Sequence, residues 1–123
     1  MASRPIITVV DDDESVRESL PDLLAELGLI TRAFASAEEF LGSDALLQTR
    51  CLILDIAMPG MSGPELQREL LARRHAIPII FITAQIDASI RSGLLQRGAV
   101  ACLFKPFSQK ELQTALNAAL AAG

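Results

Sequence analysis

Cysteine is scarce in this 123-residue chain, which has only two. Cys51 and Cys102 each sit inside an apolar run and lack metal-ligand spacing. That argues against a disulfide framework and for a reducing compartment. Basic clusters are also missing: the formal net charge is −4, and Arg73-Arg74 is the one adjacent basic pair. A nucleic-acid interface needs a basic face to neutralise phosphates, so direct DNA or RNA binding is not expected. Long apolar runs are absent too. No stretch approaches the roughly 20 apolar residues that span a bilayer, and "MASRPIITVV" is too short for a signal peptide before it meets an acidic cluster. Internal repeats and low-complexity tracts are lacking. The expectation is one soluble, cytoplasmic domain over residues 1–123, with no membrane attachment.

Short apolar runs alternate with longer segments of helical period. The runs are "IITVV" (6–10), "LITRAF" (29–34), "CLILD" (51–55), "PIIFIT" (78–83) and "ACLF" (101–104). Four are nearly continuous in apolar residues, the pattern of strands buried on both faces, and the second is mixed as an edge strand would be. Helix starts are marked by Ser three residues before Glu in "SAEE" (36–39), "SGPE" (62–65) and "SQKE" (108–111), the capping-box pattern. Pro64 falls in a first helical turn, where a missing N–H costs nothing. Asp87 is a further candidate cap, and Gly28 and Gly98 fall where helices hand over to strands. Pro21 interrupts "ESVRESLPDLLAELG", but Leu20, Leu23, Leu24 and Leu27 still form one apolar stripe, so a single kinked helix is expected. Apolar residues also cover much of the last helix, which suggests a partner surface or a missing neighbour. The chain reads as (βα)5, a parallel sheet with helices on both faces.

In such sheets, ligands bind beyond the carboxyl ends of the strands. There, strand one presents Asp11, Asp12 and Asp13, strand three Asp55, strand four Thr83 and strand five Lys105. Each residue alone has an ordinary explanation: a helix start, a turn, a β-former or a snorkelling surface charge. Together they place carboxylates, a hydroxyl and an ammonium at one sheet edge. Packed carboxylates repel, and a hard divalent cation such as Mg²⁺ relieves that repulsion. A carboxylate beside such an ion can attack a phosphoryl group, whose oxygens the lysine and threonine would neutralise.

These residues, with "VVDDDESVRESL", "LILDIAMPGMSG", "PIIFITA" and "GAVACLFKPF", closely match a known pattern. The chain resembles the receiver domain of bacterial two-component response regulators over essentially its whole length. Its flavour is nearest to receivers that precede LuxR-type helix-turn-helix output domains. The resemblance implies a doubly wound, flavodoxin-like sheet in the order 2-1-3-4-5. It implies that Asp55 is the phosphoacceptor, charged by the phosphohistidine of a sensor histidine kinase. It further implies that Asp11, Asp12, Asp55 and the Ala57 carbonyl hold Mg²⁺. Thr83 corresponds to the switch hydroxyl and Lys105 to the phosphate-contacting lysine, with a cis bond to Pro106. A LuxR-type output domain absent from this chain and a phosphorylation-dependent homodimer are implied partners. The phosphoryl charge would then bias the face formed by the last two strands and their helices.

The chain departs from the pattern at Cys102, where the family usually places Tyr or Phe. The thiol is small and cannot act as a swinging ring, so movement of the loop and helix after strand four is expected to carry the change. Ala57 and Gln85 occupy the positions that tune how water reaches the aspartyl phosphate, so its lifetime should differ from receivers with a polar residue at the first. Such a domain charges and discharges itself but turns over no separate substrate, and so is not an enzyme in the usual sense. Two other readings remain. One is a receiver-like module that no longer takes phosphate. The other is a haloacid dehalogenase-type phosphatase, in which Asp11 and Asp13 fit an Asp-x-Asp, although only Glu111 follows Lys105 as an acid.

Overall fold

Five apolar runs become five parallel strands because continuous Val, Ile and Leu suit a pleated surface covered on both faces. The computed structural model describes residues 5–84 and 88–122. Its elements, in chain order, are β1 (Ile6–Val10), α1 (Glu14–Glu26), β2 (Ile30–Phe34), α2 (Ala37–Leu41), α3 (Ala45–Gln48), β3 (Thr49–Asp55), α4 (Gly63–Ala72), β4 (Ile79–Thr83), α5 (Ala88–Gln96), β5 (Ala101–Phe104) and α6 (Gln109–Ala122). The strands are ordered β2-β1-β3-β4-β5, all parallel. The fold is the expected doubly wound one.

Alternation along β3 builds two cores. Leu52 and Leu54 point into one with Phe40, Leu66, Leu70, Phe81 and Leu94, under α2 to α5. Cys51 and Ile53 point into the other with Ile7, Leu20, Leu24, Leu112 and Leu116, under α1 and α6. The last helix therefore needs no missing neighbour for its apolar stripe. Leu112, Ala115, Leu116 and Ala119 are buried on the sheet, which accounts for that stripe; Ala101, Leu103 and Ala118 still line an open, apolar hollow between β5 and α6.

Two further details differ from the sequence reading. The segment after Ser36 forms two short helices, because Gly42 caps α2 and Ser43 donates its hydroxyl to Phe40 O. And β5, at the edge where the expected order 2-1-3-4-5 places it, is not buried on both faces as its apolar run suggested: Cys102 is buried but Phe104 is 49 % exposed. An apolar run alone does not distinguish an edge position from a central one. The caps sit as expected at Ser36, Ser62 and Ser108, each hydroxyl accepting the N–H three residues on. Pro21 lies inside α1, and Gly28 and Gly98 both adopt positive φ. Gln85 and Asp87 lie outside the described residues.

Candidate functional site

The parallel strands deliver their last residues to one edge, and β1 and β3 bring their carboxylates together. Asp11, directly after β1, is fully buried, and Asp55, the last residue of β3, is 6 % exposed. Asp12 is exposed beside them. One oxygen from each of Asp11, Asp12 and Asp55 lies within 4.8 Å of the others. Asp13 stands apart from that group: its Oδ1 accepts from the Ser15 hydroxyl at 2.7 Å and from Ser15 N at 2.9 Å, capping α1, and these bonds hold its carboxyl below the usual range. The Asp13 N–H in turn donates to Asp11 Oδ1 at 2.9 Å, which orients the buried carboxylate. Arg17 reaches back to the Asp11 carbonyl at 2.9 Å and ties α1 to the strand end.

Lys105 follows β5 and crosses to these acids. Its Nζ donates to Asp11 Oδ2 at 2.9 Å and lies 3.7 Å from Asp55 Oδ1. At rest its closer partner is thus Asp11. Burial alone would make the ammonium less basic, but the Asp11 hydrogen bond and the Asp55 charge outweigh this and raise its pKa. Its backbone is also fixed, with the N–H donating to Thr83 O at 2.8 Å. The bond to Pro106 is cis.

Asp55 has the opposite difficulty. Burial, and then the Asp11 charge, push its carboxyl up to about 7, while Lys105 pulls it down. One lysine does not balance three clustered carboxylates. A hard divalent cation fits such a donor set, since Mg²⁺ takes one or two carboxylates and fills its octahedron with other oxygens. A hollow of about 440 Å³ opens above, lined by Asp55, Ala57, Thr83, Ala84 and Lys105. Buried Thr83 and exposed Ala57 therefore border the same space as the acid.

The chain matches the response regulator receiver domain model over residues 7–117. It belongs to that family. It is 42 % identical over 115 residues to the transcriptional regulatory protein TdiR of Thauera aromatica, covering 94 % of this chain and 51 % of the relative. It is 43 % identical over 118 residues to nodulation protein W of Bradyrhizobium diazoefficiens, covering 96 % and 52 % respectively. The chain thus spans about half the length of the curated relatives it matches. Among solved structures, the response regulator StyR superposes with a TM-score of 0.89 at 42 % identity, covering 98 % of this chain and 61 % of that one. FixJ-N superposes with a TM-score of 0.85 at 34 % identity, covering 98 % and 96 %.

Within this receiver, some of the singled-out residues lie away from the hollow. Cys102 is buried in the core under α2 to α5, in register with Phe81, and burial raises its thiol pKa. Pro106 borders a separate hollow beside α1, with Lys105 and Phe107. No helix among the described residues is long and apolar enough to cross a membrane.

Sequence reasoning passed over two supports of the receiver site. A Cβ on Gly63 would collide with the Asp55 carbonyl oxygen, so α4 can begin against the end of β3 only with glycine there. The Gly63 N–H donates to Ile56 O at 2.9 Å and closes the loop. The signal was present in "SGPE", a residue without a side chain just inside a helix start. Glu38 is the second support: its carboxylate accepts from Met61 N at 3.0 Å and lies where a Cβ on Gly60 would go. No local spacing announces a contact 23 residues apart.

Proposed function

We propose that this receiver accepts a phosphoryl group on Asp55 and passes the change to an output partner. The single observation that carries this reading is the buried Asp55 carboxylate beside Asp11, with the Lys105 ammonium within 3.7 Å and an open hollow above. In the transfer, an Asp55 oxygen attacks phosphorus. The P–N bond of a sensor kinase phosphohistidine breaks, and the imidazole leaves with the bond's electron pair. Asp11, Asp12, Asp55 and the Ala57 carbonyl would hold Mg²⁺, which neutralises charge developing on the phosphoryl oxygens. Lys105 then exchanges part of its bond with Asp11 for a phosphoryl oxygen, and the Thr83 hydroxyl turns to another. Self-charging and self-discharge are the only chemistry assigned; no separate substrate is turned over.

The transcriptional relatives, about twice this chain's length, favour a DNA-binding output domain of LuxR type, a cytoplasmic location and a phosphorylation-dependent dimer. With Cys102 in place of an aromatic ring, movement of α5, the helix after β4, carries the signal. The deciding experiment is incubation with acetyl phosphate and Mg²⁺, read by intact mass and by oligomeric state. The expected result is one added phosphoryl group that needs Mg²⁺ and is absent in Asp55→Asn. An unmodified parent under those conditions would instead assign a phosphate-independent interaction module.

A further inference from the structure

Two neighbouring hollows open between α4 and α5, on the side of the sheet away from α1 and α6. The larger, about 420 Å³, is lined by Arg68 of α4, by Arg97 just beyond α5, and by Ile56, Leu94 and the 45 % exposed Ile90. Its size is within the range of small-ligand sites. The smaller hollow, about 250 Å³, is also lined by Arg97, so that guanidinium borders both.

The two arginines differ from Arg17, Arg32 and Arg73; the side chains of Arg50, Arg74 and Arg91 likewise make no hydrogen bond or ion pair among the described residues, but none of them lines this hollow. Arg17, Arg32 and Arg73 bond to the Asp11 carbonyl, Asp44 and Glu69. Arg68 and Arg97 have no hydrogen-bond or ion-pair partner among the described residues. Glu65, one turn earlier on α4, accepts from the Ser62 N–H at 3.1 Å; that bond first, and the Arg68 charge last, hold its carboxyl below the usual range, so Arg68 lies near an acid without an ion pair to it. Arg97 also lies back along its own helix. A Cβ on Gly93 would sit 3.4 Å from its Nη1, so the missing side chain leaves room for the guanidinium at the groove. A chain with a net charge of −4 therefore sets two guanidinium groups that form no ion pair, one of them near Glu65, on one concave, partly apolar surface. Guanidinium matches a carboxylate bidentately, and the apolar lining suits a hydrocarbon body.

We propose that the cleft between α4 and α5 binds a small amphipathic carboxylate, its head held by Arg68 and Arg97 and its body against Ile56, Ile90 and Leu94. Concave volume at this position favours a small ligand over the flat docking of a protein. The assignment is independent of phosphoryl transfer, and its test contains no phosphoryl donor.

The test titrates the whole chain with octanoate, and separately with octanol, while amide NMR shifts are followed. Octanoate should saturate with a Kd near or below about 1 mM, as expected for a ligand of modest efficiency. The largest shifts should fall at Ile56, Gly93, Leu94 and Arg97. Octanol should bind at least about tenfold more weakly, the size of a charge-assisted pair. The double variant Arg68→Met, Arg97→Met keeps the aliphatic stems; it should lose the octanoate advantage and leave octanol unchanged. Equal binding of acid and alcohol by the parent would overturn the assignment, as would shifts confined to another face. Saturable binding of a Glu-rich peptide with none of octanoate would replace the small ligand by a polypeptide.

Discussion

β3 and β4 end at the same sheet edge and lead to helices on the same side, yet α4 and α5 differ in how much they bury. After Asp55, Ile56 N–H donates to Ile82 O at 3.2 Å and Gly63 N–H to Ile56 O at 2.9 Å. Glu38 pins Met61, and Ser62 with Glu65 completes a capping box. The helix that follows, α4, buries Gly63, Leu66, Gln67 and Leu70. After Thr83 the chain reaches α5, whose one buried residue among those described is Leu94. Few buried apolar contacts mean a low free energy of local opening. The fold thus anchors the proposed phosphoacceptor in a rigid frame at the junction of β3 with α4, while α5 beyond Thr83 buries little of itself among the described residues. A charge appearing at the end of β3 would find its more compliant neighbour in α5 rather than α4.

One glycine in each helix, Gly63 in α4 and Gly93 in α5, tests this difference, and here the largest effect is expected. In Gly63→Ala the new Cβ meets the Asp55 carbonyl, backbone that cannot turn aside. A loss of about 3 kcal/mol is expected in chemical denaturation. In Gly93→Ala the new Cβ meets only the end of the Arg97 side chain at 3.4 Å, which can move. Replacing a helical glycine there should stabilise by about 0.5–1 kcal/mol. Equal losses at both sites would break the comparison.

The anchored junction also holds Asp55 against its own charge. Its folded pKa of about 7 stands above the ordinary 3.8, chiefly through burial and then the Asp11 charge. Between those values the folded chain binds more protons than the unfolded one. Metal-free stability should therefore fall as pH rises from about 4 through about 7 and level off above. Asp55→Asn removes this cost. The metal-free variant should exceed the parent by about 2 kcal/mol at pH 8 and approach it near pH 4. Thermal melts across that range check the sign; a parent that grows more stable toward neutral pH while the variant stays flat would contradict it.

Much of the anchored junction was legible in the sequence. "SGPE" announced the start of α4 by local chemistry, as "SAEE" and "SQKE" did for α2 and α6. Continuous apolar runs announced the strands, and the residues at their ends announced the acid cluster and Lys105. What escaped depends on contacts between distant segments. No local pattern says that Lys105 rests on Asp11 more closely than on Asp55, or that Glu38 pins Met61. The exposure of Phe104 and the burial of the α6 stripe follow from where strands and helices sit in the sheet, which periodicity does not encode. Gly63 lies between these cases: its residue type was visible, but its collision partner was not.

One polar tie crosses from the anchored helix to the lightly held one. Buried Gln67 of α4 donates from Nε2 to Leu94 O at 3.3 Å, while its Oε1 is buried with no partner. The bond is long, and Leu94 O also accepts from Ala99 N at 3.1 Å, so losing Gln67 leaves no carbonyl orphaned. An unmet buried acceptor costs about 1–3 kcal/mol, whereas a neutral hydrogen bond contributes about 1. Gln67→Leu should therefore leave global stability unchanged within about 0.5 kcal/mol, or raise it, since the lost bond and the removed orphan offset one another. Hydrogen exchange in α5 should quicken even so, because the tie to α4 is gone. A global loss above about 1 kcal/mol would mean that the tie outweighs the orphan, and that α5 is held to the frame more firmly than its burial implies.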